Sequence, residues 1–440
     1  MAQVGDDRAI RTIFFQELFF MNVRVVFLMV CIGCFSLMAK VTADTPRLDI
    51  NSVEGFGANT KAGTGGSVIK VAHLGHDGEG SLRWALAQKG PRIVVFEVGG
   101  VIDLAGQGIE IDEPFLTLAG QTAPSPGITL IRGGLRVLTH DVRIEHIRIR
   151  PGDNFEEKLS GWETDAIAVA GGQAQRVHID HVSVSWAVDE NLSATGQREK
   201  GWGFSASDVT FSNSIIAEAL DYASHEKGKH SKGLLVHDYV KNVAVVGNLF
   251  ISNDRRNPYF KSHASGVVVN NLMYNLGNQA VHVDFIPDEW KGTSLVPGNP
   301  QIAVVGNLMH YGRDTYSDLA MIYGRGDVFL HDNGVYNLMN EPMPQGGSAV
   351  NLLDKPPVWP EGLTAMSVDD VEQYVLASAG ARPWDRDAID VRIVQDYKQR
   401  TSRIIDSQDD VGGYPKYRAT THKLNVPAKN VEAWLESFRR

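Results

Sequence analysis

Two acidic groups in this sequence have the composition of a metal site. Glu163 and Asp165 stand directly before an apolar run, two apart and so on one face of a strand. Asp189, Glu190 and Asn191 follow the run Val177 to Trp186 and gather three oxygen ligands just past a strand end. Stacked strands lie about 5 Å apart, so such groups meet although they are distant in sequence. Converging carboxylates repel unless a cation sits between them, and oxygen donors without His or Cys point to calcium. The competing account is a set of separate surface acids. A basic group follows at Asn253 to Lys261, with Arg255, Arg256 and Lys261 around Pro258, which fixes a bend. A basic loop paired to surface acids explains that segment equally well. His230, Lys232 and His237 lie between the two groups, and a solvated strand face accounts for the spacing of His230 and Lys232.

The elements that must position these residues are strands. Val177, Ile179 and His181, then Val182, Val184 and Trp186, alternate with a shift of register after His181, which predicts a bend or bulge there. The pattern recurs in VRIEHIRIR, VHIDHVSVS, VTFSNSIIA, AVVGNLFI, VVVNNLMY, AVVGNLMH and FLHDNGVY. The fifth positions are His146, His181, Asn213, Asn248, Asn271, Asn307 and Asn333, spaced by 35, 32, 35, 23, 36 and 26 residues. The shortest spacings give a coil of roughly 22 to 26 residues with loops inserted elsewhere. A strand-only unit of this size predicts an all-β solenoid, a parallel β-helix, with asparagines stacked in a hydrogen-bonded ladder.

A solenoid needs closed ends. The glycine-rich residues 53–70 read as a tight entry loop, since nothing there matches a phosphate-binding loop. Ser81 caps a short amphipathic helix reaching Gln88, with Leu82, Ala85 and Leu86 inward, and Arg92 to Val98 is the first clear strand. Past Asn351 the pattern changes. Pro356, Pro357 and Pro360 break it, a helix runs from Ser367 to Ser378, and a tail packs on the solenoid. Asp385, Asp387 and Asp390 read as an acid-rich helix start, with a second ion site as the alternative. Residues 1–43 read as an upstream extension and a secretory signal peptide starting at Met21; 44–350 form the β-helix domain and 351–440 a C-terminal extension. Both cysteines, Cys31 and Cys34, fall in the leader, so a large core must hold the exported chain. The net charge of −10 argues against nucleic acid as a partner, and an acidic ligand needs local cations or a bridging metal.

The segments GFGANTKAGTGG, GEGSLRWAL, LAGQTAPSPGITL, HIRIRPGD, ETDAI, VHIDHVSVSWAVDENLS and NDRRNPYFK, in this order and spacing, resemble the pectate lyases of the parallel β-helix polysaccharide lyase group. The resemblance runs over about residues 53–345 and implies a single-stranded right-handed parallel β-helix. It implies a secreted, calcium-dependent, monomeric enzyme that cleaves polygalacturonate by β-elimination, with no membrane association once the leader is removed. Glu163, Asp165 and Asp189 match its acidic calcium positions, and Ser193 stands where a further aspartate is usual. Arg256 matches the catalytic arginine. Lys261 stands where a second arginine is usual. The family lysine that contacts substrate has no clean match, with Lys232 nearby, and Arg255, Lys232 and His230 join Lys261 as candidate substrate-binding residues. An arginine base implies an alkaline optimum. The alternatives are a hydrolase on the same fold, a pectin lyase or other uronate lyase, and a non-catalytic β-helix that binds cell-wall polysaccharide.

Overall fold

The computed structural model describes residues 54–439. The leader, with Cys31 and Cys34, lies outside them. Each coil contributes up to three short strands, one to each of three parallel sheets. Val142–Glu145, Arg148–Arg150 and Ile167–Ala170 make one coil; Gln175–Asp180, Ser183–Ser185 and Glu190–Thr195 make the next. Sheet A has eleven strands, from Ser67–Val71 to Asn351–Leu352. Sheet B runs from Val98–Asp103 to Gly334–Tyr336 and carries one antiparallel tail strand, Thr420–Thr421. Sheet C has eight strands, from Ile109–Ile111 to Ile322–Gly324. The chain is a parallel β-helix. The glycine-rich entry is not only a loop, because Ser67–Val71 already pairs with Arg92–Phe96.

The bend after His181 is the corner between sheets A and B. His146, His181, Asn213 and Asn270 turn it with φ of 57°, 48°, 48° and 53°, the left-handed region that asparagine tolerates better than most residues. The next residue carries the ladder. Asn248 Nδ2 donates to Asn271 Oδ1 at 2.9 Å, Asn271 to Asn307 at 2.9 Å and Asn307 to Asn333 at 3.0 Å. The seven fifth positions are therefore not one structural site. Val209 pairs with Val243, so Asn213 aligns with Gly247, and the ladder ends on the Ser214 backbone N–H, 2.9 Å from Asn248 Oδ1. In the earlier coils the imidazoles of His146 and His181 stack at 4.9 Å instead.

Val177, Ile179, Val182 and Val184 point into the solenoid core and are fully buried. Helix α1, Leu82–Leu86, closes the first end; the Ser81 hydroxyl accepts the Trp84 N–H at 3.2 Å, and Leu82, Ala85 and Leu86 are buried as the spacing predicts. The extension covers two sheets from outside. Helices α2, Val368–Ser378, and α3, Ala388–Gln399, pack on sheet B through Val371, Val375, Ile393 and Tyr397. Helix α4, Val431–Glu436, and Leu424 pack against Ile93 and Val95 of sheet A.

Asp387 does cap α3, accepting the Asp390 N–H at 2.9 Å, but the acid cluster does more. Arg150 donates to Asp387 at 2.5 Å and to Asp390 at 2.7 Å, and Arg148 donates to Asp390 at 3.2 Å. All four side chains are essentially fully buried. Breaking such a pair from one side leaves an uncompensated buried charge, which costs about 3–5 kcal/mol. Arg150→Ala is expected to lose about that much in chemical denaturation, and to open the 380–400 region to protease before the solenoid unfolds. Unchanged stability would show that the extension is held by apolar contact alone.

Candidate active site

Sheet C carries the chemistry because parallel pairing aligns the starts of its strands. Ile167 pairs with Leu192, and Leu192 with Leu234. Asp165 therefore stands ahead of one strand, Asp189 and Glu190 open the next, and Lys232 opens the third. Arg256 precedes the strand after that, Tyr259–Phe260. Backbone bonds fix the alignment: Asp189 N–H donates to Thr164 O at 3.3 Å and Ala166 N–H to Glu190 O at 3.2 Å. Asn191 is a brace and not a free ligand. Its Oδ1 accepts the Ala187 N–H at 3.2 Å, and its Nδ2 donates to Ala217 O at 3.0 Å.

Carboxylate oxygens of Asp165, Asp189 and Glu190 lie within 4.8 Å of one another. Burial, and then the charge of Asp189, push the Asp165 carboxyl up to about 7. Burial acts on Asp189 in the same sense. The hydrogen bond from His230 and the charge of Lys232 outweigh it and hold Asp189 at about 2. Ser193 Oγ donates to Asp165 Oδ2, and the Glu190 N–H donates to Asp165 Oδ1 at 3.2 Å. Ser193 is thus a neutral donor to the acid it sits beside. Glu163 is not among these three; its carboxylate lies 2.8 Å from Nε2 of His225, which groups with Asp189 and His230. Glu190 takes the third place, which a reading of spacing alone does not assign.

The cations surround the acids. Arg256 pairs with Glu190, and its guanidinium lies 5.6 Å over the Tyr259 ring. Burial lowers its pKa. Lys232 reaches His230 with Nζ, and burial lowers it to about 8. His230 Nε2 lies 2.8 Å from Asp189 Oδ1, and its ring stacks on His225 at 3.4 Å. Arg255 is set apart, half-exposed and 2.9 Å from Asp254. Lys261 lies past the other end of the strand that follows Arg256, bonded to Glu289. A groove of about 720 Å³ lies over the first coils of sheet C, from Arg83 of α1, past Arg136, to Asp165.

No family model matches the chain. A protein named probable pectate lyase C from Aspergillus flavus is 32% identical over 397 residues, covering 87% of this chain and 84% of that protein. Its namesake from Emericella nidulans is 30% identical over 393 residues, with 86% and 83% covered. The chain belongs to the pectate lyase family. It is a polysaccharide lyase by that membership. Among solved structures, jun a 1, the major allergen from cedar pollen, superposes with a TM-score of 0.54 at 15% identity, over 74% of this chain and 92% of that one. The thermostable pectate lyase PL 47 does so at 0.50 and 14%, over 75% and 97%. Both are likenesses of fold.

Sequence reasoning passed over His225, Arg198 and Glu289. They lie in irregular connections, where no period marks which side chain turns toward sheet C. The raised Asp165 carboxyl makes a sharp prediction for this lyase. A carboxyl with a raised folded pKa costs nothing below its ordinary value near 3.8 and destabilises increasingly as pH rises to about 7. In metal-free protein, Asp165→Asn is expected to match the wild type in Tm near pH 4 and to exceed it above pH 7. Calorimetric scans across that range read the difference. Parallel curves would mean that Asp165 is not strained by its neighbours.

Proposed function

We propose that this lyase is a secreted, calcium-dependent pectate lyase that cleaves α-1,4-polygalacturonate by β-elimination, releasing 4,5-unsaturated oligogalacturonates. The observation that carries the reading is the set Asp165, Asp189 and Glu190 beside Arg256 on one open sheet face. The donor set fits calcium: hard carboxylate oxygens of Asp165, Asp189 and Glu190 gathered within 4.8 Å of one another. Asp165, Asp189 and Glu190 would hold the ion, and when bound it supplies the charge that neutralises a substrate carboxylate and acidifies the adjacent C5–H.

The chain's own residues do the rest. Arg256 accepts the C5 proton as a neutral guanidine. The C5–H electron pair becomes the C4–C5 double bond, the C4–O bond breaks, and the departing oxygen is protonated from solvent. No water is added across the bond. A guanidinium paired to Glu190 keeps its proton, so the pair must loosen before Arg256 acts. Burial works in the other direction and lowers its pKa. Lys232, beside the acids, offers positive charge to an acidic chain, and Arg83 and Arg136 line the groove, Arg136 paired to Glu110 at 3.3 Å. The apolar stretch Val25 to Ala39 followed by small residues supports export. Among the described residues no helix is long and apolar enough to cross a membrane.

Ultraviolet absorbance of unsaturated product from purified polygalacturonate tests the reading. The signal is expected with calcium, to vanish with chelator and to recover on adding calcium back. Arg256→Ala is expected to lower kcat by about 10²–10⁴-fold. The wild-type rate is expected to climb into the alkaline range as the guanidinium loses its proton. New reducing ends without absorbance would mean hydrolysis, and a rate maximum at acid pH would remove Arg256 as the base.

A further inference from the structure

A second group of charges converges beyond the opposite ends of the same strands. Lys261 follows Tyr259–Phe260, and Asp238 follows Lys232–Val236. Arg198 opens the turn Arg198–Lys200, and Glu289 lies in the turn Pro287–Trp290. Lys261 Nζ donates to Glu289 Oε2 at 2.5 Å, and Arg198 Nη1 donates to the same oxygen at 2.6 Å. Both cations also face Asp238 Oδ2, at 3.5 Å and 3.0 Å. The Arg198 guanidinium is steadied over the Trp290 ring at 5.8 Å.

The two acids are not equivalent. Asp238 is fully buried, and its other oxygen accepts the Ser262 N–H at 3.0 Å, so it belongs to the scaffold. The Glu289 side chain is 31% exposed and sits in the long connection 284–300, beside exposed Ile286 and Asp288. Separating a partly exposed carboxylate from its cations is easy compared with unpairing a buried one. With Glu289 withdrawn, Arg198 and Lys261 outweigh Asp238 by one positive charge. A ligand carboxylate replaces Glu289 one for one, leaving the net charge of the site unchanged. Lys261 follows the short strand Tyr259–Phe260 that Arg256 precedes, so the cluster lies on the same sheet as the acidic set.

We infer that Arg198 and Lys261 form a subsite for a uronate carboxylate, in which Glu289 stands as an internal competitor. The inference rests on the polygalacturonate reading. The motifs that carry the family resemblance include Lys261 but neither Arg198 nor Glu289. Lysine offers a point charge where a guanidinium grips a carboxylate with a planar fork, and Arg198 brings that fork from a different loop.

The test is calorimetric titration of trigalacturonate with calcium present, alongside steady-state kinetics on polygalacturonate. Glu289→Gln is expected to tighten binding about fivefold and lower KM alike, with kcat within about twofold of wild type, since a partly exposed ion pair is worth up to about that factor. Arg198→Ala is expected to weaken binding about tenfold, and Arg198→Lys to recover part of the loss. Equal or weaker binding by Glu289→Gln, in a wild type that does bind, overturns this inference alone. So does an Arg198→Ala that lowers Tm but leaves affinity intact, which marks a structural brace. Binding by neither wild type nor Glu289→Gln overturns the uronate reading and this inference with it.

Discussion

Three carboxylates are held closer than their charges favour, and the rest of the site is arranged around that constraint. Asp165, Asp189 and Glu190 cannot spread apart, because each belongs to the start of a strand in a fixed parallel ladder. Sheet spacing brings them together, and the half-buried position of Asp165 weakens the screening between them. The chain answers with what surrounds them: a hydroxyl from Ser193, a backbone N–H from Glu190, an imidazole from His230 and the cations Lys232 and Arg256. These leave Asp189 well compensated and Asp165 strained. Under the proposed reading a cation relieves that strain.

The solenoid makes such a site possible by giving each sheet a separate task. Sheets A and B are roofed by the C-terminal extension, whose apolar helices and buried Arg148–Arg150–Asp387–Asp390 network fasten it down. Sheet C keeps an open outer face, and the groove lies over its first coils. At the A–B corner the asparagine ladder joins the later coils, from Asn248 onward, whereas the coils that carry Asp165 and Asp189 stack His146 on His181 there.

The fold was legible from the sequence because each coil repeats one alternation, and stacking demands that the apolar positions recur. The ladder was legible only in part. Asparagine serves two adjacent corner positions, the left-handed turn at Asn213 and Asn270 and the side-chain ladder from Asn248 onward, and residue type alone does not separate them. Asp165, Asp189 and Arg256 could be found because they adjoin strands whose register is periodic. Glu190 was visible in the same acidic cluster, yet its place beside Asp165 depends on pairing that is known only once coils are stacked. Glu163 stands two residues from Asp165, but a loop carrying His225 captures it. Arg198 and Glu289 come from connections with no period at all. The Arg148–Asp390 network was hidden for another reason: its halves are more than two hundred residues apart, and each looks locally like an ordinary charged segment.

The central claim is that the strained carboxylates of sheet C bind calcium. Calorimetric titration of calcium into the metal-free protein, beside Asp189→Asn, tests it without substrate. The account predicts saturable binding at a single site in the wild type and its loss in the variant. No binding by the wild type, or equal binding by both, would contradict it.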